Sequence, residues 1–377
     1  IPENAAAFQE NDIMMGIKYL RVIADRFRQP LVILLGLGSN YGSHTGTSPL
    51  SQVTQNYGGF FGIATVIAAG NETGLSHHYA GQLSADTPYE DVELRVGERE
   101  AERGFILELW SSATELFTVG FVSPGGERIN RIPVLANNET RIPFLLENTI
   151  ITVNYELIEA GSGSQLVSVR FERPSAGIWT IRVYNTQFLT GEYHMWLPVQ
   201  GFISEETVFL KPDPSNTITV PGNSRLPITV GAYDHRNNSI YIHSSRGYTS
   251  RDYVKPDLAA PGVDVLGPGI RDTSGAGVRS FLYSGNNIPS ITPSQNTPSN
   301  TSAPSSIQEN LQIFSRRTGT SAAAAITAGA VANLLSWGIV MGNYPAMSEA
   351  PIKSYLIRGA ARNPALSYPN REFGYGT

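Results

Sequence analysis

The sequence predicts an α/β protein built on a parallel sheet that is interrupted by an all-β insertion. Helical periodicity leads into Leu31-Val32-Ile33-Leu34-Leu35, an unbroken apolar run of the kind that strands buried on both faces require. From about Gln82 to Gly201 the pattern changes to short alternating runs separated by turn residues, the signature of a β-sandwich. After residue 201 the mixed pattern returns and ends in an Ala-rich helix that starts near Ser321. The expected division is therefore 1–81 core, 82–201 insertion and 202–377 core.

The first element is a helix that starts at Asn11-Asp12, a plausible cap, with Ile13, Ile17, Leu20 and Ile23-Ala24 on one face, and it stops before Gln29-Pro30. The Leu31 strand follows, then the loop Gly36-Leu37-Gly38-Ser39-Asn40-Tyr41-Gly42. A dinucleotide fingerprint needs G-x-G-x-x-G opening into a helix, with an acid about 20 residues on. Here the third glycine is one residue late and no acid sits at that distance, so the nucleotide reading is poor. A short helix from Pro49 to Tyr57 leads to a second buried strand, Gly62 to Ala68, and to Gly70-Asn71. Strand, helix and strand with short joints predict parallel βαβ units.

His77-His78 invite a metal reading, but adjacent residues point to opposite sides of a strand and no carboxylate stands at a ligand spacing. A polar loop is expected there. His194 alternates with apolar neighbours and reads as a surface or satisfied histidine. Past the insertion, Pro227 to Tyr233 and Ile240 to His243 read as strands, and Ser284 to Ser306, rich in Ser, Thr, Pro and Asn, as a mobile surface loop. A last helix, Pro351 to Ile357, is expected to be capped by Ser348.

Composition narrows the function. Of 377 residues, 41% are hydrophobic and 16% charged, enough for a sizeable core. The net charge of −5, with no basic block, argues against nucleic acid and anionic membrane as partners. With no cysteine there is no disulfide, thiolate metal site or cysteine nucleophile. The apolar run from Ser321 to Val340 is broken by Thr327, Asn333 and Ser336, which favours a core helix over a membrane span. The chain opens Ile1-Pro2-Glu3-Asn4, without Met or a signal segment, and reads as the middle of a longer protein.

Chemistry concentrates in Arg317-Thr318-Gly319-Thr320-Ser321-Ala322-Ala323-Ala324-Ala325. A serine at a helix N-terminus has free amides and the positive dipole end beside it, which suits a nucleophile; the same residue also suits a plain N-cap. Val66-Ile67-Ala68-Ala69-Gly70-Asn71 and Lys255-Pro256-Asp257-Leu258-Ala259-Ala260-Pro261-Gly262 complete a set. Alone, Asn71 reads as an ordinary Gly-Asn turn.

The three motifs, in this order, resemble the subtilisin-like serine proteases. Ser244-Ser245-Arg246-Gly247 and Gly374-Tyr375-Gly376 also have counterparts in that family. The resemblance implies a parallel sheet with helices on both faces, with Ser321 as nucleophile and Asn71 donating to the oxyanion together with the Ser321 backbone amide. It implies Gly36, Leu37 and Gly38 as one wall of the substrate cleft and Ala68, Ala69 and Gly70 as the other. Lys255-Pro256-Asp257 would be a structural loop. The β-insertion, and Ala325 where most members have proline, are similar to the clostridial Csp-type branch, which carries a jelly-roll insertion and acts in spore germination. A protein or peptide substrate and no cofactor follow. Calcium is common in the family, but no loop here is acidic enough to name ligands.

One part of the family pattern has no counterpart. The triad order is Asp, His, Ser, so the acid and the base should precede the Leu31 strand, and neither Asp-Ser/Thr-Gly nor His-Gly-Thr-His occurs there. Three explanations stand. The Asp- and His-bearing segment lies upstream or on a separate chain; or the protein is a pseudoprotease that binds without cutting; or His44 has been recruited. The first is preferred, because the opening residues match the middle of the family's domain.

Overall fold

The computed structural model describes residues 7–84, 86–112, 115–134, 139–187, 189–251, 253–268 and 314–377. The loop expected at 284–306 lies outside the described residues. Helix α1 (Glu10–Phe27) has Gln9 at its N-cap without a side-chain bond, so Asp12 is not a cap but a first-turn charge at the positive end. Arg28 closes it in the left-handed region (φ 52°) and turns the chain into β1 (Leu31–Leu35). Helix α2 (Pro49–Gly58) is capped by Ser48, whose hydroxyl accepts from the Ser51 amide, and leads to β2 (Ile63–Ala68), buried at all six positions.

The chain then enters the insertion, with β3 (His78–Gln82), β4 (Tyr89–Val96), α3 (Glu100–Arg103), β5 (Phe105–Ser111), β6 (Leu116–Val122), β7 (Arg128–Ile129), β8 (Thr140–Phe144) and β9 (Thr149–Glu156). It continues through β10 (Gln165–Glu172), β11 (Gly177–Gln187), β12 (Glu192–Trp196) and β13 (Val208–Phe209). Two antiparallel sheets result, ordered β3-β12-β5-β10-β9-β8 and β13-β4-β11-β6-β7. Their facing residues share one core in which Trp179 meets Phe144 and Phe171 edge-on. The sheets run wider than 82–201: His78 pairs with Trp196, and Val208 with Arg95. Strand pairing across more than 100 residues sets these ends, and composition does not mark them.

The core resumes with β14 (Ile228–Asp234), β15 (Ser239–Ile240), β16 (Leu258–Pro261), β17 (Val265–Pro268) and β18 (Phe314–Arg317), then α4 (Thr320–Leu335), a π-turn at Ser336–Val340 and α5 (Glu349–Gly359). Of the strand expected at 240–243 only Ser239-Ile240 pairs, and Leu258–Pro261, expected in a loop, is a strand of the sheet. Ser348 is the N-cap of α5 but makes no side-chain capping bond. The sheet order is β1-β2-β14-β16 in parallel, with β15 antiparallel beside β14. Alternation along β2 sends Ile63 and Ile67 toward α1 and α2, and Ala64, Val66 and Ala68 toward α4. Helices therefore cover both faces.

Helix α4 lies on the sheet through Ala323, Ala324, Thr327, Val331 and Leu335, small residues that allow close approach at helical spacing. Close packing holds for that face alone. The run Thr320–Val340 is long and apolar enough to cross a membrane (mean hydropathy 1.6), yet only a third of it is buried.

Beneath α5 lies a buried charge cluster. Lys255 Nζ donates to Pro227 O, Thr229 Oγ1 and Asp257 Oδ2, and Lys353 pairs with the other oxygen of Asp257. Glu349, fully buried, accepts from the Thr65 amide at 2.6 Å, while its Oε2 has no partner. Burial pushes its carboxyl up to about 7, against the nearby Lys353 and Lys255, with Asp257 adding to the rise. The folded chain thus holds this proton to higher pH than the unfolded chain. Stability from this group is present below pH 4.5 and is lost as pH rises through about 7. Glu349→Gln is expected to flatten that fall, which is at most about 3 kcal/mol at 1.36 kcal/mol per pH unit. Urea midpoints of both proteins from pH 4.5 to 7.5 check it.

Candidate active site

The Gly319 backbone, at φ 141°, turns the chain from β18 into α4; a side chain there would press on the Asn71 amide. The Gly319 N–H donates to Gly262 O at 2.8 Å, which fastens this turn to the end of the Lys255 motif. Gly319 is also the N-cap, so neither Thr320 nor Ser321 caps the helix. Ser321 is the second residue of α4, exposed, and its hydroxyl donates to the Gly36 carbonyl at 2.8 Å.

Asn71 follows β2 and faces that turn. Its Oδ1 accepts from the Thr320 amide (3.0 Å) and the Thr320 hydroxyl (3.2 Å), and Thr320 Oγ1 in turn accepts from the Gly70 amide (3.2 Å). With its oxygen held by two donors, the Asn71 side chain is oriented and its Nδ2 remains available as a donor. The Ser321 amide, in the first turn of α4, has no acceptor within the helix. A hydroxyl and two N–H groups therefore lie together at one helix end, an arrangement able to stabilise negative charge on a carbonyl oxygen.

Of the expected walls, Gly36, Leu37 and Gly38 lie exposed beyond β1. Ala68 and Ala69 are buried, and the backbone of Ala69 is engaged by Val230 O and the Thr219 amide, so they back the wall; Gly70 alone reaches the surface. Thr219, 3% exposed, sits between the two sides. A Cβ on Gly38 would lie 2.3 Å from its Oγ1, and one on Gly70 2.7 Å from its Cγ2. Thr219 fills the space between Gly38 and Gly70, a placement its sequence context does not signal.

The histidines lie elsewhere. His44 stacks flat on Trp196 (3.9 Å, 4°), its Nε2 bonds Asn40 O, and burial holds its pKa down to about 4. A neutral ring so enclosed is not placed to act as a base. His77 and His78, expected in a polar loop, are buried: His77 bonds Glu72 at 2.8 Å, and His78, the first residue of β3, bonds Asp213 O and His194. Glu72 also accepts from Asn40 Nδ2 and the Gln200 amide, which ties the cleft loop to the exit of the insertion. His243 bonds Thr73 O, and His235 is exposed. Among the described residues no histidine or carboxylate is hydrogen-bonded to Ser321, and no three His, Cys, Asp or Glu side chains cluster as metal ligands.

Comparison with known proteins bears on this geometry. Residues 206–376 match the model of the subtilase family of peptidases. Among solved structures, the CspB protease of Clostridium perfringens is similar with a TM-score of 0.80 and 28% identity, over 98% of this chain and 69% of that one. No curated protein matches.

Proposed function

From the chain's membership of the subtilase family, on its Csp-type branch, we propose that it is the serine-bearing portion of an endopeptidase that cleaves protein or peptide through an acyl-enzyme. The observation that carries this reading is the convergence of Ser321, Asn71 and Thr320 at the α4 N-terminus. Ser321 Oγ turns from Gly36 O, gives its proton to a base and attacks the scissile carbonyl carbon. The oxyanion accepts from Asn71 Nδ2 and the Ser321 amide; collapse expels the amine, which takes the proton, and water then reverses the sequence to release the acid. Gly36, Leu37 and Gly38 offer an extended edge on which a peptide pairs as an added strand.

The base and its acid come, on this reading, from an Asp- and His-bearing segment outside these residues, upstream or on a separate chain. The family order of the triad supports this, as does the distance of every described histidine from Ser321 bonding. We divide the chain into core 1–81, insertion 82–201 and core 202–377, with the outer strands β3 and β13 of the inserted sheets reaching past those bounds. The nested pairs β3·β12, β4·β11 and β5·β10, in alternate sheets, support a jelly-roll-like insertion. A non-cutting, binding role is the second reading, favoured by the Ser321 hydroxyl resting on a backbone carbonyl. An intact-mass inventory of the purified protein, with peptide turnover measured on the same sample, decides. Turnover together with an Asp- and His-bearing segment supports the peptidase; that segment without turnover supports the binding role.

Thr219 fills the space between Gly38 and Gly70, where the side chain before the scissile bond would enter. Thr219→Gly is expected to raise kcat/KM for peptides with Leu or Phe before the scissile bond by about 10–200-fold relative to Ala, the usual worth of fitting added methylenes. Rates on matched peptides check it.

A further inference from the structure

We propose that Glu72 is a positioning residue for the reaction at Ser321: its carboxylate braces the two walls of the cleft at a fixed separation and so holds the Asn71 side chain where the oxyanion forms. This rests on the peptidase reading and adds a residue to that site. Glu72 follows Asn71 directly and is 5% exposed, so it acts through its neighbours and not on substrate. Its Oε2 accepts from His77 Nδ1 at 2.8 Å and from Asn40 Nδ2 at 3.2 Å, and its Oε1 accepts from the Gln200 amide at 3.2 Å. A buried carboxylate is tolerated only when donors take up its lone pairs, and here three do.

These donors come from separate parts of the chain. Asn40 lies in the loop that carries Gly36, Leu37 and Gly38; it is buried, and its Nδ2 also donates to Leu197 O at 3.0 Å. His77 and Gln200 flank the insertion on its two sides. On the backbone, the Glu72 amide donates to Ser245 Oγ at 3.0 Å and the Ser245 amide donates to Gly70 O at 2.9 Å, so residues 70–72 are pinned from both ends. Backbone bonds of Val220 with Ser39 and of Thr219 with Ala69 also join the walls, but they stop before Gly70. Glu72 supplies the link on the far side of Asn71. Ser321 sits between the two walls: its hydroxyl donates to Gly36 O, and the amide of its neighbour Thr320 donates to Asn71 Oδ1. A change in the distance from Asn40 to Glu72 therefore moves the Gly36 wall relative to Asn71 Nδ2, and that spacing decides whether an attacked carbonyl lies within reach of both nucleophile and donor.

Glu72→Gln keeps the volume of the side chain and puts an NH₂ group where one acceptor was. Asn40→Ala cuts the same brace from the other wall and leaves the carboxylate with His77 and the Gln200 amide. Each is made in the protein purified with every polypeptide it retains, alone and combined, and checked for folding by circular dichroism; if Glu72→Gln does not fold, Asn40→Ala carries the test. The expected result is a fall in kcat of roughly 10–100-fold, the order that misplacing a reacting group by up to 1 Å costs, with KM less affected and fluorophosphonate labelling of Ser321 slowed alike. The double substitution is no worse than the worse single one, because both remove one link. Folded variants that lose thermal midpoint but keep kcat and labelling, that raise KM alone, or whose losses multiply in the double, overturn the brace. If the parent protein neither cleaves peptide nor labels, the peptidase reading fails and hydrogen exchange decides the brace by itself: faster exchange in both 36–42 and 69–72 in Asn40→Ala keeps it, and faster exchange in one alone or in neither overturns it.

Discussion

Ser321→Ala is expected to abolish peptide hydrolysis, lowering kcat by about 10⁶, a magnitude taken from subtilisin itself. The Ser321 hydroxyl is exposed at the head of α4, whereas the neighbouring Thr320 hydroxyl is buried and bonded to Asn71. The bond from the Ser321 hydroxyl to Gly36 O leaves with it. Helix packing is untouched, because Ser321 is exposed and Gly319 occupies the cap position. The substitution should therefore leave the thermal midpoint and KM near their starting values, and single-turnover kinetics should show no acyl-enzyme. Undiminished hydrolysis in a sample whose mass confirms the substitution would place the nucleophile elsewhere.

Asn71→Ala carries the second-largest effect, a fall in kcat of about 10²–10³, or 2.7–4 kcal/mol, with KM nearly constant; this range too comes from a subtilisin. Its Nδ2 matters only once charge has moved onto the carbonyl oxygen. The substitution also frees the Thr320 amide and hydroxyl that Asn71 Oδ1 now holds. Thr320→Val separates the two effects, since it removes one of the two bonds orienting Asn71 and keeps the donor. About a tenfold loss in kcat is expected from Thr320→Val. Steady-state kinetics on one peptide for the three proteins checks the order.

Where local pattern decides structure, the sequence was legible. Six buried residues in β2 with Gly70-Asn71 at its end, and the Gly319-Thr320-Ser321 turn into an Ala-rich helix, are runs whose periodicity and turn chemistry leave few alternatives. Long-range pairing hid the rest. Thr219 reaches Ala69 across 150 residues, and nothing around it signals that it fills the space between Gly38 and Gly70. His77 and His78 look like loop residues until Glu72, Asp213 and His194 close around them. The outer face of α4 could not be foreseen, because Ala and Gly on all sides give no contrast between a buried and an exposed flank.

The measurement that tests the central claim most directly is a fluorophosphonate reaction on the purified protein with every polypeptide it retains, followed by peptide mapping of the adduct. The account predicts one adduct, on Ser321, lost in Ser321→Ala and strongly reduced in Asn71→Ala. An adduct on another residue, or none in a sample that carries the Asp- and His-bearing segment and hydrolyses peptides, would contradict it.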